Sequence, residues 1–188
     1  MIERKDVAVF LDRDGTVNVD YGFVCKPEDV KLLPEVAEAI QELNKAGIPV
    51  FVISNQSGVG RRKFTEEQVK AVNEEIKRQL AEKGASVEGF YYCPHAPDEN
   101  CECRKPKIGL IRQAESEANL DLKQFYTIGD KPSDVELARN AGGTGTVVFT
   151  GQTKPEDISS WPFQPDNRAK DLLEGVKWIL RDIKEKEV

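Results

Sequence analysis

Val7-Ala8-Val9-Phe10-Leu11-Asp12-Arg13-Asp14-Gly15-Thr16 is an apolar run that ends on two carboxylates spaced two residues apart. A run this short, rich in Val and Phe, reads as a strand buried on both faces of a parallel sheet. Gly15 supplies the break that turns the chain out of the sheet. Ligand sites of open parallel sheets lie at the carboxyl ends of the strands, where Asp12 and Asp14 fall. Two acids there can hold one hard cation such as Mg²⁺, which prefers oxygen ligands. One acid can attack phosphorus while the other moves protons, so the spacing suggests phosphoryl transfer through an aspartyl-phosphate. Asp before Gly is also ordinary turn chemistry, and the pair alone leaves that reading open.

Three further segments add chemistry. Phe125-Tyr126-Thr127-Ile128 reads as another strand and runs into Gly129-Asp130-Lys131-Pro132-Ser133-Asp134. Asp130 then also lands at a strand end, able to give the same cation a further oxygen. Lys131 suits a phosphate or sugar oxygen, and Asp134 suits either the cation or the steadying of its own loop. Val50-Phe51-Val52-Ile53 ends on Ser54-Asn55-Gln56-Ser57-Gly58, where a hydroxyl and main-chain N–H groups can cradle phosphate; an ordinary turn has the same composition.

The last segment is Cys93-Pro94-His95, followed after five residues by Cys101-Glu102-Cys103-Arg104-Lys105. Three of the four Cys and the single His thus fall within residues 93–103. Three thiolates and an imidazole complete a closed tetrahedral Zn²⁺ site, which is structural rather than catalytic. Disulfides, or free buried Cys with a stray His, are the alternatives, and Cys101 and Cys103 are too close for an easy mutual bond. Cys25 is left as an unpaired thiol.

Together DRDGT, SNQSG, CRKPK and GDKPSD resemble the haloacid dehalogenase superfamily of aspartate-nucleophile phosphatases. The Cys-x-His…Cys-x-Cys loop narrows the resemblance to the branch of heptose 1,7-bisphosphate phosphatases and histidinol-phosphate phosphatases. FLDRDGTVNVDYGFV, LNKAGIPVFVISNQSGVG and GDKPSDVELARNAGG are more similar to the heptose group, whereas the short spacing between His95 and Cys101 is as much a histidinol-phosphatase length. The resemblance implies that Asp12 is the nucleophile and a Mg²⁺ ligand. It makes Asp14 the general acid/base, with its main-chain carbonyl also on Mg²⁺, and Asp130 the remaining acidic ligand. Ser54 and Lys105 would hold the transferring phosphoryl group. Asp20, Tyr21, Gly22, Phe23, Asn55, Gln56, Ser57, Arg104 and Lys131 would contact substrate, and Cys93, His95, Cys101 and Cys103 would bind Zn²⁺. The implied activity is Mg²⁺-dependent removal of the 7-phosphate of a heptose bisphosphate in nucleotide-activated heptose biosynthesis. A receiver-like phosphoacceptor domain, with Lys105 as its lysine, is the reading from another class; a second acid placed to hydrolyse the intermediate and a zinc loop oppose it.

The expected fold is α/β: a doubly wound, Rossmann-like parallel sheet of about five strands, over 7–11, 50–53, 87–93, 125–128 and 145–149. Helical patterns cover 34–46, 65–83, 108–118, 132–141 and 168–184, the second opened by the capping box Thr65-x-x-Gln68. Only residues 16–33 separate the first loop from the first helix, too few for a cap domain, so one capless domain over 1–188 with a zinc loop at 93–103 is expected. Residues 150–167, with Trp161 and Phe163, read as a loop packed on the core. The net charge of −6 argues against a nucleic-acid surface, and the 39% hydrophobic and 32% charged residues suit a soluble protein. No apolar run is long enough for a membrane span, and residues 1–5 are too polar to open a signal peptide. A cytoplasmic monomer acting on a small phosphorylated sugar, without nucleic-acid or membrane partners, is the expectation.

Overall fold

The computed structural model describes residues 6–186; the opening residues 1–5 read above as too polar for a signal peptide lie outside them. Six parallel strands form one sheet in the order β3-β2-β1-β4-β5-β6. They are β1 (Val7–Leu11), β2 (Val50–Asn55), β3 (Gly89–Cys93), β4 (Gln124–Gly129), β5 (Thr144–Val148) and β6 (Asn167–Ala169). The helices are α1 (Val36–Lys45), α2 (Glu66–Glu82), α3 (Gly109–Ala118), α4 (Pro132–Ala141) and α5 (Leu172–Lys186). The chain winds outward from β1 in both directions, so β1 lies between β2 and β4. This reversal of strand order is the switch point where α/β sheets bind ligands.

All five residues of β1 are buried, as its unbroken apolar run requires. Val7, Val9 and Leu11 join Ile40, Leu43, Val176 and Ile179 in a core beneath α1 and α5. Ala8 and Phe10 face the other way, with Phe51, Leu110 and Ala114. Phe10 stacks on Phe51 at 5.4 Å and meets Phe125 edge-on at 5.9 Å. Helices therefore cover both faces. The Thr65–Gln68 capping box opens α2 as expected: Gln68 N donates to Thr65 Oγ1 and Thr65 N to Gln68 Oε1. Ile158 is buried and packs with Val135, Val147, Trp161 and Phe163, so residues 150–167 do cover the core.

The sheet has six strands rather than about five. Asn167, Arg168 and Ala169 pair with Thr146, Val147 and Val148, where a helix beginning at Arg168 was expected. A three-residue strand shows no period of its own, and its partner supplies the pairing. The helix instead starts after Asp171, whose Oδ1 accepts from Glu174 N at 2.8 Å. Between β1 and α1 stand two isolated bridges and the turn Pro27–Asp29, and among the described residues this connection forms no cap domain. Among the described residues no helix is long and apolar enough to cross a membrane.

Candidate active site

The carboxyl ends of β1, β2 and β4 converge because these strands are neighbours in register: Leu11 pairs with both Val52 and Ile128. Asp12, Ser54 and Asp130, which follow or end these strands, are all buried. Asp12, Asp130 and Asp134 each offer an oxygen to a cluster whose atoms lie within 4.8 Å of one another. Two lysines reach into it. Lys105 Nζ lies 2.7 Å from Asp12 Oδ1 and 2.6 Å from Asp134 Oδ1, and also donates to the Ile53 carbonyl at 2.9 Å. Lys131 Nζ lies 3.7 Å from Asp12 Oδ2 and 3.5 Å from Asp130 Oδ1.

Burial works against ionisation of Asp12, but Lys105 and Lys131 outweigh it and hold the carboxyl below its usual range. Burial likewise opposes the charge on Lys105, yet Asp12 and Asp134 keep its pKa raised. Asp130 goes the other way: burial first, then the nearby Asp12 charge, push it up to about 7. Asp134 is also raised, by burial and Asp12.

Asp12 Oδ2 and Asp130 Oδ1 are buried without a hydrogen-bond partner. Lys131 Nζ approaches both, at 3.7 and 3.5 Å, without hydrogen-bonding either, and buried carboxylate oxygens are costly when no donor or ion meets them closely. This all-oxygen, acid-rich pair fits a hard divalent cation, with Asp12 and Asp130 as its acidic ligands. Asp134 fits that part less well, since its oxygens already serve Lys105 and the Lys131 N–H, the latter at 3.1 Å. Of the two uses open to it, the structure places it in the steadying one, at the start of α4.

Asp14 lies outside this cluster. Its carboxylate accepts from Arg13 at 3.2 and 3.0 Å, Asn18 at 3.0 Å and Gln56 at 2.9 Å. Its main-chain carbonyl instead faces Lys131 Nζ, at 3.4 Å. Ser54 Oγ accepts from the same Gln56 amide at 3.3 Å. Asn55 spends its amide on the Lys105 main chain, at 3.0 and 3.1 Å, and so holds the lysine in place. Asp20, Tyr21, Gly22 and Phe23 form a loop beside the acids, in which Tyr21 and Phe23 are exposed. Phe23 meets Phe64 edge-on at 5.7 Å. Ser57 lies on the turn after β2, where its carbonyl accepts from Arg61 N at 3.0 Å. Arg104 has a buried Nη1 with no partner.

The Cys-x-His…Cys-x-Cys residues come together as their chemistry anticipates. Cys93 Sγ lies 3.5 Å from both His95 Nδ1 and Cys101 Sγ, and His95 Nδ1 lies 3.2 Å from Cys103 Sγ. Zn–S bonds of about 2.3 Å in a tetrahedron put sulfurs roughly 3.8 Å apart, so the donor set fits Zn²⁺. Cys25 is a free thiol outside this group.

Two segments of the chain, residues 9–85 and 102–175, match models described as haloacid dehalogenase-like hydrolase and HAD-hydrolase-like. A D-glycero-beta-D-manno-heptose-1,7-bisphosphate 7-phosphatase of Yersinia pestis is 39% identical over 181 residues, covering 90% of this chain and 95% of that protein. The chain belongs to the haloacid dehalogenase-like hydrolases. Within this family the same-named protein of Escherichia coli K12 is 36% identical over 90% of this chain and 93% of its own. The D,D-heptose 1,7-bisphosphate phosphatase of B. bronchiseptica, solved with magnesium and phosphate, superposes with a TM-score of 0.84 at 31% identity. That match covers 94% of this chain and 99% of the other.

Two residues around this hydrolase site, Arg13 and Gln152, escaped the sequence reading. Arg13 is wholly buried and joins Asp14 to Asn73 of α2 at 3.1 Å and to the Val24 carbonyl at 3.3 Å. Its position between two acids at a strand end was the available signal. Gln152 gave none: its N–H reaches Asp130 Oδ2 at 2.7 Å and its side chain reaches Asp20, 132 positions earlier, at 2.9 Å.

Proposed function

We propose that this chain is a Mg²⁺-dependent phosphatase that removes the 7-phosphate of D-glycero-β-D-manno-heptose 1,7-bisphosphate. The observation that carries the reading is Asp12: a buried carboxylate held ionised between Lys105 and Lys131, with one oxygen that accepts no hydrogen bond, at the switch point of the sheet. The curated relatives supply the substrate, since they bear that name, β anomer included, across most of this chain.

In this reading the Asp12 carboxylate attacks phosphorus as the bond between phosphorus and the sugar oxygen breaks. Asp14 gives its proton to the departing oxygen, a poor leaving group otherwise. Ionised Asp14 then takes a proton from the water that attacks the aspartyl-phosphate, so Asp12 is freed and inorganic phosphate leaves. Lys105 and Ser54 hold the phosphoryl oxygens, and phosphoryl transfer asks mainly for such positioning and charge. Mg²⁺, held by Asp12, Asp130 and the Asp14 carbonyl, supplies neutralising charge when bound. Arg104, Lys131, residues 20–23 and 55–57 meet the substrate. Asn55 acts in addition through Lys105, whose main chain it grips. Cys93, His95, Cys101 and Cys103 hold structural Zn²⁺ and fold the loop that delivers Arg104 and Lys105. The chain acts as one catalytic domain, monomeric and cytoplasmic, with no nucleic-acid or membrane partner; the net charge of −6 supports the absence of a nucleic-acid partner.

The test is phosphate release with Mg²⁺ from both anomers of heptose 1,7-bisphosphate and from histidinol phosphate. A kcat/KM preference for the β anomer is expected. Preference for histidinol phosphate would overturn the substrate assignment, and no turnover of any would return the chain to phosphoacceptor readings.

A further inference from the structure

We infer that Gln152 is a positioning residue that sets the sugar-facing loop, residues 20–23, against the acids; the inference rests on the phosphatase reading above. Gln152 stands in Thr150-Gly151-Gln152, just past β5, and this segment is laced across the first loop. Thr150 Oγ1 donates to the Gly15 carbonyl at 2.7 Å, and Gln152 N donates to Asp130 Oδ2 at 2.7 Å. Gly151 permits that approach, because a Cβ there would stand 2.1 Å from Asp130 Oδ2. From this anchored backbone the Gln152 side chain reaches outward and donates to Asp20 Oδ2 at 2.9 Å.

Asp20 is the hinge of the loop that follows it. Its Oδ1 accepts from Gly22 N at 2.7 Å, the turn in which Gly22 adopts φ +96. That turn projects Tyr21 and Phe23, 62% and 46% exposed, from the rim of the site. The oxygen that Gln152 engages is also 3.6 Å from Lys131 Nζ. Lys131 does not fix the direction of Asp20, because its ammonium is a point charge drawn equally to Asp12 and Asp130. The amide of Gln152 is directional. Without it, Asp20 Oδ2 keeps only the 3.6 Å approach of Lys131, the carboxylate can turn further toward that lysine or water, and the bond from Gly22 N to Oδ1 loosens with it. Only a substrate that extends past its phosphoryl group to residues 20–23 would register the change.

The experiment compares Gln152→Ala with the wild-type protein on heptose 1,7-bisphosphate and on p-nitrophenyl phosphate. A loss of roughly five- to tenfold in kcat/KM, mostly through KM, is expected for the sugar, as for the net contribution of one solvent-exposed hydrogen bond. For p-nitrophenyl phosphate a change within about twofold is expected, since alanine keeps the N–H that serves Asp130. In an Asp20→Ala background the effect of Gln152→Ala should disappear. Equal losses on both esters, or additive losses in the double variant, would overturn the inference. Amide hydrogen exchange at Gly22 decides the matter without any substrate: faster exchange in Gln152→Ala supports it, and unchanged exchange refutes it. A wild-type protein inert toward heptose bisphosphate would therefore sink the substrate reading alone.

Discussion

Asp12 and Asp14 are two residues apart in sequence and opposite in surroundings. Asp12 lies in a pocket of lysines, while Asp14 is gripped by Arg13, Asn18 and Gln56. Such divided settings are how two like carboxylates take nucleophile and proton-transfer roles. Asp12→Asn is accordingly expected to abolish phosphate release while leaving the melting temperature nearly unchanged; appreciable residual turnover would overturn the nucleophile assignment. Asp130 carries a pH signature. Its carboxyl is pushed up from 3.8 to about 7, so across that window the folded chain keeps a proton that the unfolded chain has released. Stability from this group therefore falls as pH rises toward 7, and a cation that needs the ionised form binds better above it. The rise in Tm on adding Mg²⁺ should be larger near about pH 8 than near about pH 5.5. Equal increments would contradict Asp130 as a ligand.

At the scale of elements, apolar spacing announced the five α-helices and the five longer strands: the helices and β1, β2, β4 and β5 bury a stripe or run that the sequence displays directly, while the half-buried β3 shows as an aromatic run. β6 gave no such display. Its three residues become a strand by pairing with β5, and the cap of α5 at Asp171 shows its meaning only once that helix has begun. Arg13 is the element-scale counterpart at the site, since it bolts the loop after β1 to Asn73 of α2. Arg13→Met should lower stability by about 2–3 kcal/mol, leaving Asn73 and Asp14 short of a donor in a largely buried setting. Chemical denaturation measures it; a change within error would show that α2 holds without the loop.

At the scale of the whole molecule, the loop that carries Cys93, His95, Cys101 and Cys103 is tied to the acids through the sheet. Gln56 N donates to the Cys93 carbonyl and Gly60 N to the Pro94 carbonyl, both at 2.8 Å. The same Gln56 holds Asp14, and Lys105 follows Cys103 by two residues. Cys101→Ala is therefore expected to lower stability, by at least about 2 kcal/mol, and phosphatase activity together. Chelation of the wild-type protein should do the same. A fully active and equally stable Cys101→Ala protein would refute a structural Zn²⁺.

The sequence by itself determined what depends on local order: which runs bury both faces, where acids end a strand, and which sulfur and imidazole ligands stand close enough along the chain to share one ion. Only the tertiary structure decided what depends on distant partners. Asp134 suits a cation as well as its own loop by sequence, and only the fold sets one of its oxygens on Lys105, 29 positions away, while the other takes the Lys131 N–H. Asn55 turned out to hold a lysine backbone, and Gln152 gained a place only when β5 brought it beside Asp20. A hydrogen-bond partner is chosen by direction and distance in space, and neither is written in the spacing of residues along a chain.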